Sequence, residues 1–189
     1  MNPQTVRPGD SRPIPTVAKH IFHGLFLVFL AIPAMLAISS EQATADPFGK
    51  GMVRTSLSVG WGSAFQNDYT IIGGGVGYYI IDCLELGLDA EYWIGDSPVI
   101  YKVSPEMRYV LRLQSALKPY AGIFYRYTAI SLSYDDINSA GLRAGVYYNT
   151  GGNLYIGAGV VYEQYLDRDE KQYDYGSQTY PEVSLTVAF

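Results

Sequence analysis

The chain has 189 residues, of which 48% are hydrophobic and only 16% charged, with 18 Tyr, 20 Gly and a formal net charge of −5. That length suits one domain, and aromatic and glycine chemistry in place of a Lys/Glu surface favours β-structure. The acidic balance excludes nucleic acid as a partner held through phosphate contacts, and the single cysteine, Cys83, excludes an intramolecular disulfide framework.

Residues 1–45 read as a targeting segment. Arg7, Arg12 and Lys19 form a basic start, 25–38 (LFLVFLAIPAMLAI) an apolar stretch interrupted by Pro33, and Ala43-Thr44-Ala45 an A-x-A cleavage site ahead of Asp46. The apolar run is shorter than the roughly 20 residues a spanning helix needs. A signal peptide over 1–45 is therefore expected, cut beside Ala43 and Ala45, followed by one domain over 46–189. Asp46 and not a cysteine directly follows the cut, where a lipid-anchored lipoprotein would require cysteine.

From residue 46 onward no helical period persists, and period-2 segments recur between turn signals. In 52–63, Val53, Thr55, Leu57, Val59 and Trp61 alternate with Arg54, Ser56, Ser58, Gly60 and Gly62. In 69–80, Ile72, Val76, Tyr78 and Ile80 oppose Gly73, Gly75 and Gly77. Segment 84–94 sets Leu84, Leu86, Leu88, Ala90, Tyr92 and Ile94 against Glu85, Gly87, Asp89, Glu91 and Trp93, and 99–111 sets Tyr101, Val103, Met107 and Tyr109 against Lys102, Ser104, Glu106 and Arg108. Segment 117–129 opposes Ala121, Ile123, Tyr125 and Tyr127 to Lys118, Tyr120, Gly122, Phe124 and Arg126. In 139–148, Leu142, Ala144, Val146 and Tyr148 face away from Gly141, Arg143, Gly145 and Tyr147; in 154–166, Ile156, Ala158, Val160 and Tyr162 face away from Tyr155, Gly157, Val161 and Glu163. An eighth segment starts near Tyr173 or Gly176 and ends at Phe189.

Short connections at 81–83, 113–115 and 149–153 alternate with longer ones near 64–67, 95–98, 131–138 and 167–174, as hairpins of a barrel would. Pro105 and Pro181 fall inside strand patterns and are expected to mark a bulge, a strand end or the rim.

The last segment, YPEVSLTVAF, places Val183, Leu185, Val187 and Phe189 on one face and Glu182, Ser184 and Thr186 on the other, and the sequence stops at Phe189. An apolar edge of that kind invites aggregation unless it is closed into a barrel. These residues resemble the closing strand of bacterial outer-membrane β-barrel proteins, which alternates apolar residues and ends in Phe as an assembly signal. Over about residues 50–189 the pattern looks like the small OmpA/OmpX-type barrels. The resemblance implies an all-β fold: an eight-stranded antiparallel up-and-down transmembrane β-barrel with periplasmic termini and four outward loops. It also implies outer-membrane lipid and lipopolysaccharide as surroundings, the barrel-assembly machinery as a partner during biogenesis, and a monomer.

Alternating strands could also enclose an apolar core in a soluble barrel. The charges decide between the two. The polar faces carry Arg54, Lys102, Arg108, Arg112, Lys118, Arg126 and Arg143 against Glu85, Asp89, Glu91, Glu106, Glu163 and Glu182, seven bases and six acids. A water face has little reason to balance charge strand by strand, whereas charges in a lumen just wide enough to be filled by side chains must pair. These thirteen residues are expected to form a lumen ion network that plugs the barrel. Trp61, Tyr78, Tyr92, Tyr101, Tyr109, Tyr125, Tyr127, Tyr148, Tyr162 and Phe189 share the apolar face, as aromatic girdles do.

Residues 46–189 hold sixteen acids and ten bases, a net charge of −6, and outside the thirteen the connections keep ten acids and three bases. Asp135, Asp136, Asp167, Asp169, Glu170 and Asp174 lack calcium-loop spacing and read as solvated charge. Both histidines, His20 and His23, lie in the expected signal peptide, which removes the usual Ser-His and His-metal chemistry. No catalytic residue, metal ligand or cofactor is expected. A structural or surface-interaction barrel is the leading expectation, a narrow OmpW-like channel for a small hydrophobic or ionic solute the alternative, and a lipid-modifying enzyme the weakest.

Overall fold

A computed structural model of the protein describes residues 46–64, 67–95, 97–131, 136–166 and 176–189. The expected signal peptide, its cut at Ala43 and Ala45, and the acidic residues Asp135, Asp167, Asp169, Glu170 and Asp174 lie outside the described residues.

Eight strands follow one another in chain order: β1 (Val53–Ala64), β2 (Asn67–Ile81), β3 (Leu84–Ile94), β4 (Ile100–Val110), β5 (Leu117–Ile130), β6 (Ile137–Gly151), β7 (Leu154–Tyr165) and β8 (Ser177–Ala188). Each is antiparallel to the next, and β8 pairs back onto β1, so the sheet is a closed barrel. The closing register runs from Arg54↔Ala188 to Gly60↔Glu182. Beyond it, Val53 and Phe189 exchange backbone bonds, Val53 N–H donating at 2.7 Å and Phe189 N–H at 2.9 Å.

Period 2 in the sequence becomes two faces of the wall. On β4, Lys102, Ser104, Glu106 and Arg108 are buried, while Pro105, Met107 and Tyr109 are exposed. On the outer wall Trp61, Ile123 and Leu142 are each 56% exposed, in company with Leu57, Ile72, Leu88, Ile156, Val183 and Leu185. An exposed apolar surface encircling the whole barrel is far larger than a water-soluble monomer tolerates. It is the outward-facing apolar band of a transmembrane barrel. Thr55 and Ala90 share that face yet are buried, since each is a small side chain between larger neighbours, Val76 and Val187 for Thr55.

The short connections at one end are built by local backbone chemistry. Between β2 and β3, Cys83 adopts a left-handed φ of 67°; its N–H donates to Phe48 O at 2.7 Å and its carbonyl accepts from Val110 N–H at 2.9 Å. Those two bonds hold a conformation that a residue with a Cβ adopts reluctantly. Between β6 and β7, Gly151 and Gly152 supply positive φ, so β6 runs to Gly151 rather than stopping at Tyr148.

The two prolines behave differently from each other. Pro105 sits mid-strand, opposite Leu88, and the β4–β5 ladder skips from Val103↔Tyr127 to Glu106↔Phe124 without a change of register. The expected bulge, strand end or rim is thus a local gap, because proline removes one donor without adding a residue. Pro181 pairs with Val160 on β7, but the β8–β1 pairing ends beside it.

Candidate functional site

The interior is stacked in three layers along the barrel. At the end of the longer connections, Tyr69, Ile71, Trp93, Ile100, Ile130, Ile137 and Tyr180 form an apolar cluster with Phe124 and Val161. At the opposite end, Phe48, Met52, Tyr79, Val110, Tyr120, Tyr147 and Tyr155 form a second. Five cations and six carboxylates, Arg54, Lys102, Arg108, Arg126, Arg143, Glu85, Asp89, Glu91, Glu106, Glu163 and Glu182, are buried within the barrel.

These charges arrive together because adjacent strands contribute the same parity at neighbouring levels. Glu85 of β3 pairs with Arg108 of β4, Glu91 with Lys102, and Gly75 of β2 with Asp89. Gly75 and Gly77 leave the volume that the Asp89 and Glu85 side chains fill, and a Cβ at either would collide with those carboxylates. Gly145 and Gly159 make the same room for the Tyr120 hydroxyl, to which a Cβ at either would lie 2.6 Å.

Asp89 is the centre of the lower group. It accepts from Arg143 Nη1 at 2.5 Å, Arg54 Nη2 at 3.2 Å and Arg108 Nη2 at 3.4 Å. Arg54 Nε reaches Glu85 at 2.6 Å, Arg108 is bonded to Glu106, and Arg143 also meets Glu106 at 3.3 Å and Glu182 at 3.5 Å. Arg126 organises the upper group, with Nη2 on Glu91 at 2.6 Å and Nη1 on Glu163 at 2.9 Å, where Lys102 Nζ joins at 2.8 Å. Arg143 Nη2, 3.8 Å from Glu91, links the two groups.

Neutral donors and acceptors add to the layer, although Arg108 Nε, Arg143 Nε and Glu85 Oε2 are buried in it without a hydrogen-bond partner among the described residues. Arg126 Nε donates to Ser104 Oγ at 2.7 Å and Arg126 Nη1 to Tyr180 Oη at 2.6 Å, Ser139 Oγ donates to Glu163 at 2.6 Å, and Trp93 Nε1 donates to Glu91 at 3.0 Å. Lys102 Nζ lies 4.0 Å from the Trp93 ring centroid, and Arg126 stacks 4.4 Å from that of Phe124. Desolvating eleven charges is costly, and only close, multiply bonded geometry offsets it. The apolar ends keep the local dielectric low, which strengthens each pair and raises the penalty for removing one member.

Two of the thirteen residues expected in this network are elsewhere. Arg112 follows the end of β4, is 45% exposed, and bridges Asp46 at 2.7 Å and Asp82 at 3.6 Å. Lys118 keeps inward parity on β5, but the rings of Tyr120 and Tyr147, 4.3 Å apart, fill the axis at that end. Its Nζ therefore turns out to the Leu113 carbonyl. Val183 and Leu185 of the closing strand are exposed on the outer wall, with Val187 and Phe189 half-buried there.

No family model and no curated protein matches the chain. Among solved structures, the crystal structure of Neisserial surface protein A aligns with TM-score 0.56 and 18% identity over 73% of this chain and 96% of that one. The outer membrane protein OprG from Pseudomonas aeruginosa aligns with TM-score 0.48 and 12% identity over 76% and 99%, and a de novo designed transmembrane β-barrel with TM-score 0.45 and 19% identity over 74% and 95%. The chain has the fold of a small outer-membrane β-barrel.

Sequence reasoning missed how that barrel is closed at its ends. Phe48 precedes β1 and lies inside the barrel mouth at 1% exposure, its ring 5.0 Å from Tyr155 and 5.9 Å from Tyr79. It is positioned by a turn: Gly49 N–H donates to Asp46 O at 2.8 Å and Phe48 N–H to Asp46 Oδ1 at 3.0 Å. The Asp-Pro-Phe-Gly run carries that turn signal but no periodicity. Tyr147, Tyr180, Ser104 and Ser139 each have the parity of a charged neighbour on their own strand, and Ser104 and Tyr147 already stand on the inward faces read from the sequence.

Proposed function

We propose that the protein is an integral outer-membrane barrel with a structural or surface-interaction role, its lumen plugged by the buried ion network and without catalysis. The observation that carries this reading is the complete burial of Arg54, Glu85, Arg126 and Glu163 between two aromatic ends, with each of the five buried cations bonded to at least one carboxylate. An ion entering that layer would have to displace several short, mutually dependent pairs at once. The same density argues against a narrow channel for solutes. Against a lipid-modifying enzyme stands the absence of histidine from 46–189.

In this reading the termini and the turns at 82–83, 111–116 and 152–153 face the periplasm, and the longer connections face outward. Lipopolysaccharide and outer-membrane lipid surround the wall, the barrel-assembly machinery inserts it, and it works as a monomer. Planar-bilayer recording tests the plug. The wild-type protein should give no sustained conductance; a steady wild-type conductance would overturn the reading in favour of the channel. Altered lipid A or phospholipid acylation in overexpressing cells would overturn the absence of catalysis.

A further inference from the structure

β1 and β8 are paired along only part of their common length. From the reciprocal Val53/Phe189 bonds the ladder runs to Gly60↔Glu182 and stops. Both strands go on: 61–64 stay paired with 67–70 of β2, and 177–181 with 160–164 of β7. Hydrogen-bonded pairs alternate along an antiparallel ladder, so stepping by two from Val53 and Phe189 makes Trp61 and Pro181 the next pair due to exchange bonds. Proline has no N–H to return to the Trp61 carbonyl. The seam opens where that donor is missing, in the half of the barrel that carries the longer connections.

A cavity of about 510 Å³ lies at the opening, bounded by 61–63 of β1 and by Gln178, Thr179 and Tyr180 of β8, and it continues over 68–70 of β2 to Ile94 of β3. Its lining includes both faces of the wall, Trp61 being 56% exposed on the outside and Tyr180, at 3%, facing the lumen. Behind it stands the Trp93 ring, edge-on to Tyr180 with centroids 5.5 Å apart. Gly62 leaves that ring directly beneath the opening, since a Cβ there would lie 2.9 Å from Trp93 Cη2. The rim is polar: Ser63 Oγ donates to Asp68 at 2.7 Å and Gln178 Nε2 to Glu163 at 3.3 Å.

We propose that this notch seats one acyl chain of an outer-leaflet lipid, its tail between Trp61 and Tyr180 over Trp93 and its ester or amide region against the backbone that β1 and β8 leave unpaired with each other. Backbone groups at membrane depth need partners: a lipid's ester or amide carbonyl accepts from the N–H groups past the seam, an amide N–H or hydroxyl donates to carbonyls such as that of Trp61, and the tail supplies apolar contact to the aromatic floor. The lipid is also what adjoins an exposed apolar wall. The volume is in the range of about 300–1,000 Å³ typical of small-ligand sites. The proposal goes beyond a structural role; it rests on the wall standing in lipid and, for the leaflet, on the orientation proposed above, and closure of the charged layer is independent of it.

The chain's two tryptophans, Trp61 and Trp93, both border the notch, so W61F leaves a single reporter inside the barrel. The W61F protein is reconstituted in phosphatidylcholine vesicles with brominated acyl chains and, separately, unbrominated ones. Trp93 emission should fall with the brominated fraction and recover in W61F/P181V, where the restored N–H lets the ladder continue past Trp61. Should W61F/P181V lose heat-modifiable migration, W61F/S63F/T179F blocks the mouth from both strands and should restore emission equally. Trp93 emission indifferent to bromination, or quenched to the same extent in the blocked barrel, would overturn the proposal.

Discussion

Arg126→Met is the sharpest perturbation of the ion layer. The guanidinium is fully buried and bonds Glu91 at 2.6 Å, Glu163 at 2.9 Å, the Tyr180 hydroxyl at 2.6 Å and Ser104 at 2.7 Å. Methionine fills much of the volume but leaves four cations against six carboxylates, with Glu163 held by Lys102 alone among the cations. Removing one partner of a buried pair costs about 3–5 kcal/mol, a large share of the roughly 5–15 kcal/mol by which proteins are stable. With a urea slope of about 2 kcal/mol/M, the midpoint should fall by about 2 M. Arg112→Met provides the contrast: its bridge to Asp46 is 2.7 Å long but 45% exposed, and exposed pairs contribute about 0–1 kcal/mol, a shift below about 0.5 M. Both variants are unfolded by urea in vesicles and followed by heat-modifiable gel migration. Equal shifts for R126M and R112M would refute the reasoning, because burial and not pairing distance is the claimed cause.

Leu142→Arg, on the outer wall at 56% exposure, should cost about 2–4 kcal/mol if that face stands near the membrane midplane; a change within about 0.5 kcal/mol would indicate a water-exposed face. Phe48→Ala removes the ring set against Tyr79, Tyr147 and Tyr155, and should cost about 3–5 kcal/mol in the same urea assay. An unchanged midpoint would mean that this end of the barrel is stable without its plug. Deleting Phe189 removes its reciprocal bonds with Val53 and should lower the outer-membrane level of the protein in quantitative blots, and normal levels would count against an assembly role.

The strands were legible because a barrel wall has opposite environments on its two sides, which period 2 records residue by residue. That logic holds only where the ladder holds. Arg112 kept inward parity in the sequence, but β4 ends at Val110, and past the last paired residue parity no longer says where a side chain points. Lys118 lies within β5, yet parity is blind to what fills the axis at its level, here Tyr120 and Tyr147. Phe48 was invisible for a third reason: a turn folds it into the barrel from outside any strand. Pro181 shows how a sequence flag and a structural consequence connect. Its missing donor is legible from the residue name, but whether a missing donor opens a seam depends on which neighbour it would have served. On β7 the partner strand pairs on through Val160 and Val161, whereas toward β1 the absent N–H falls on a position due to exchange bonds, and pairing ends there. The same ten residues, 180–189, therefore close the β1–β8 seam in the half with the short connections and leave it unpaired toward the longer ones, and the residue that separates these two roles is the proline.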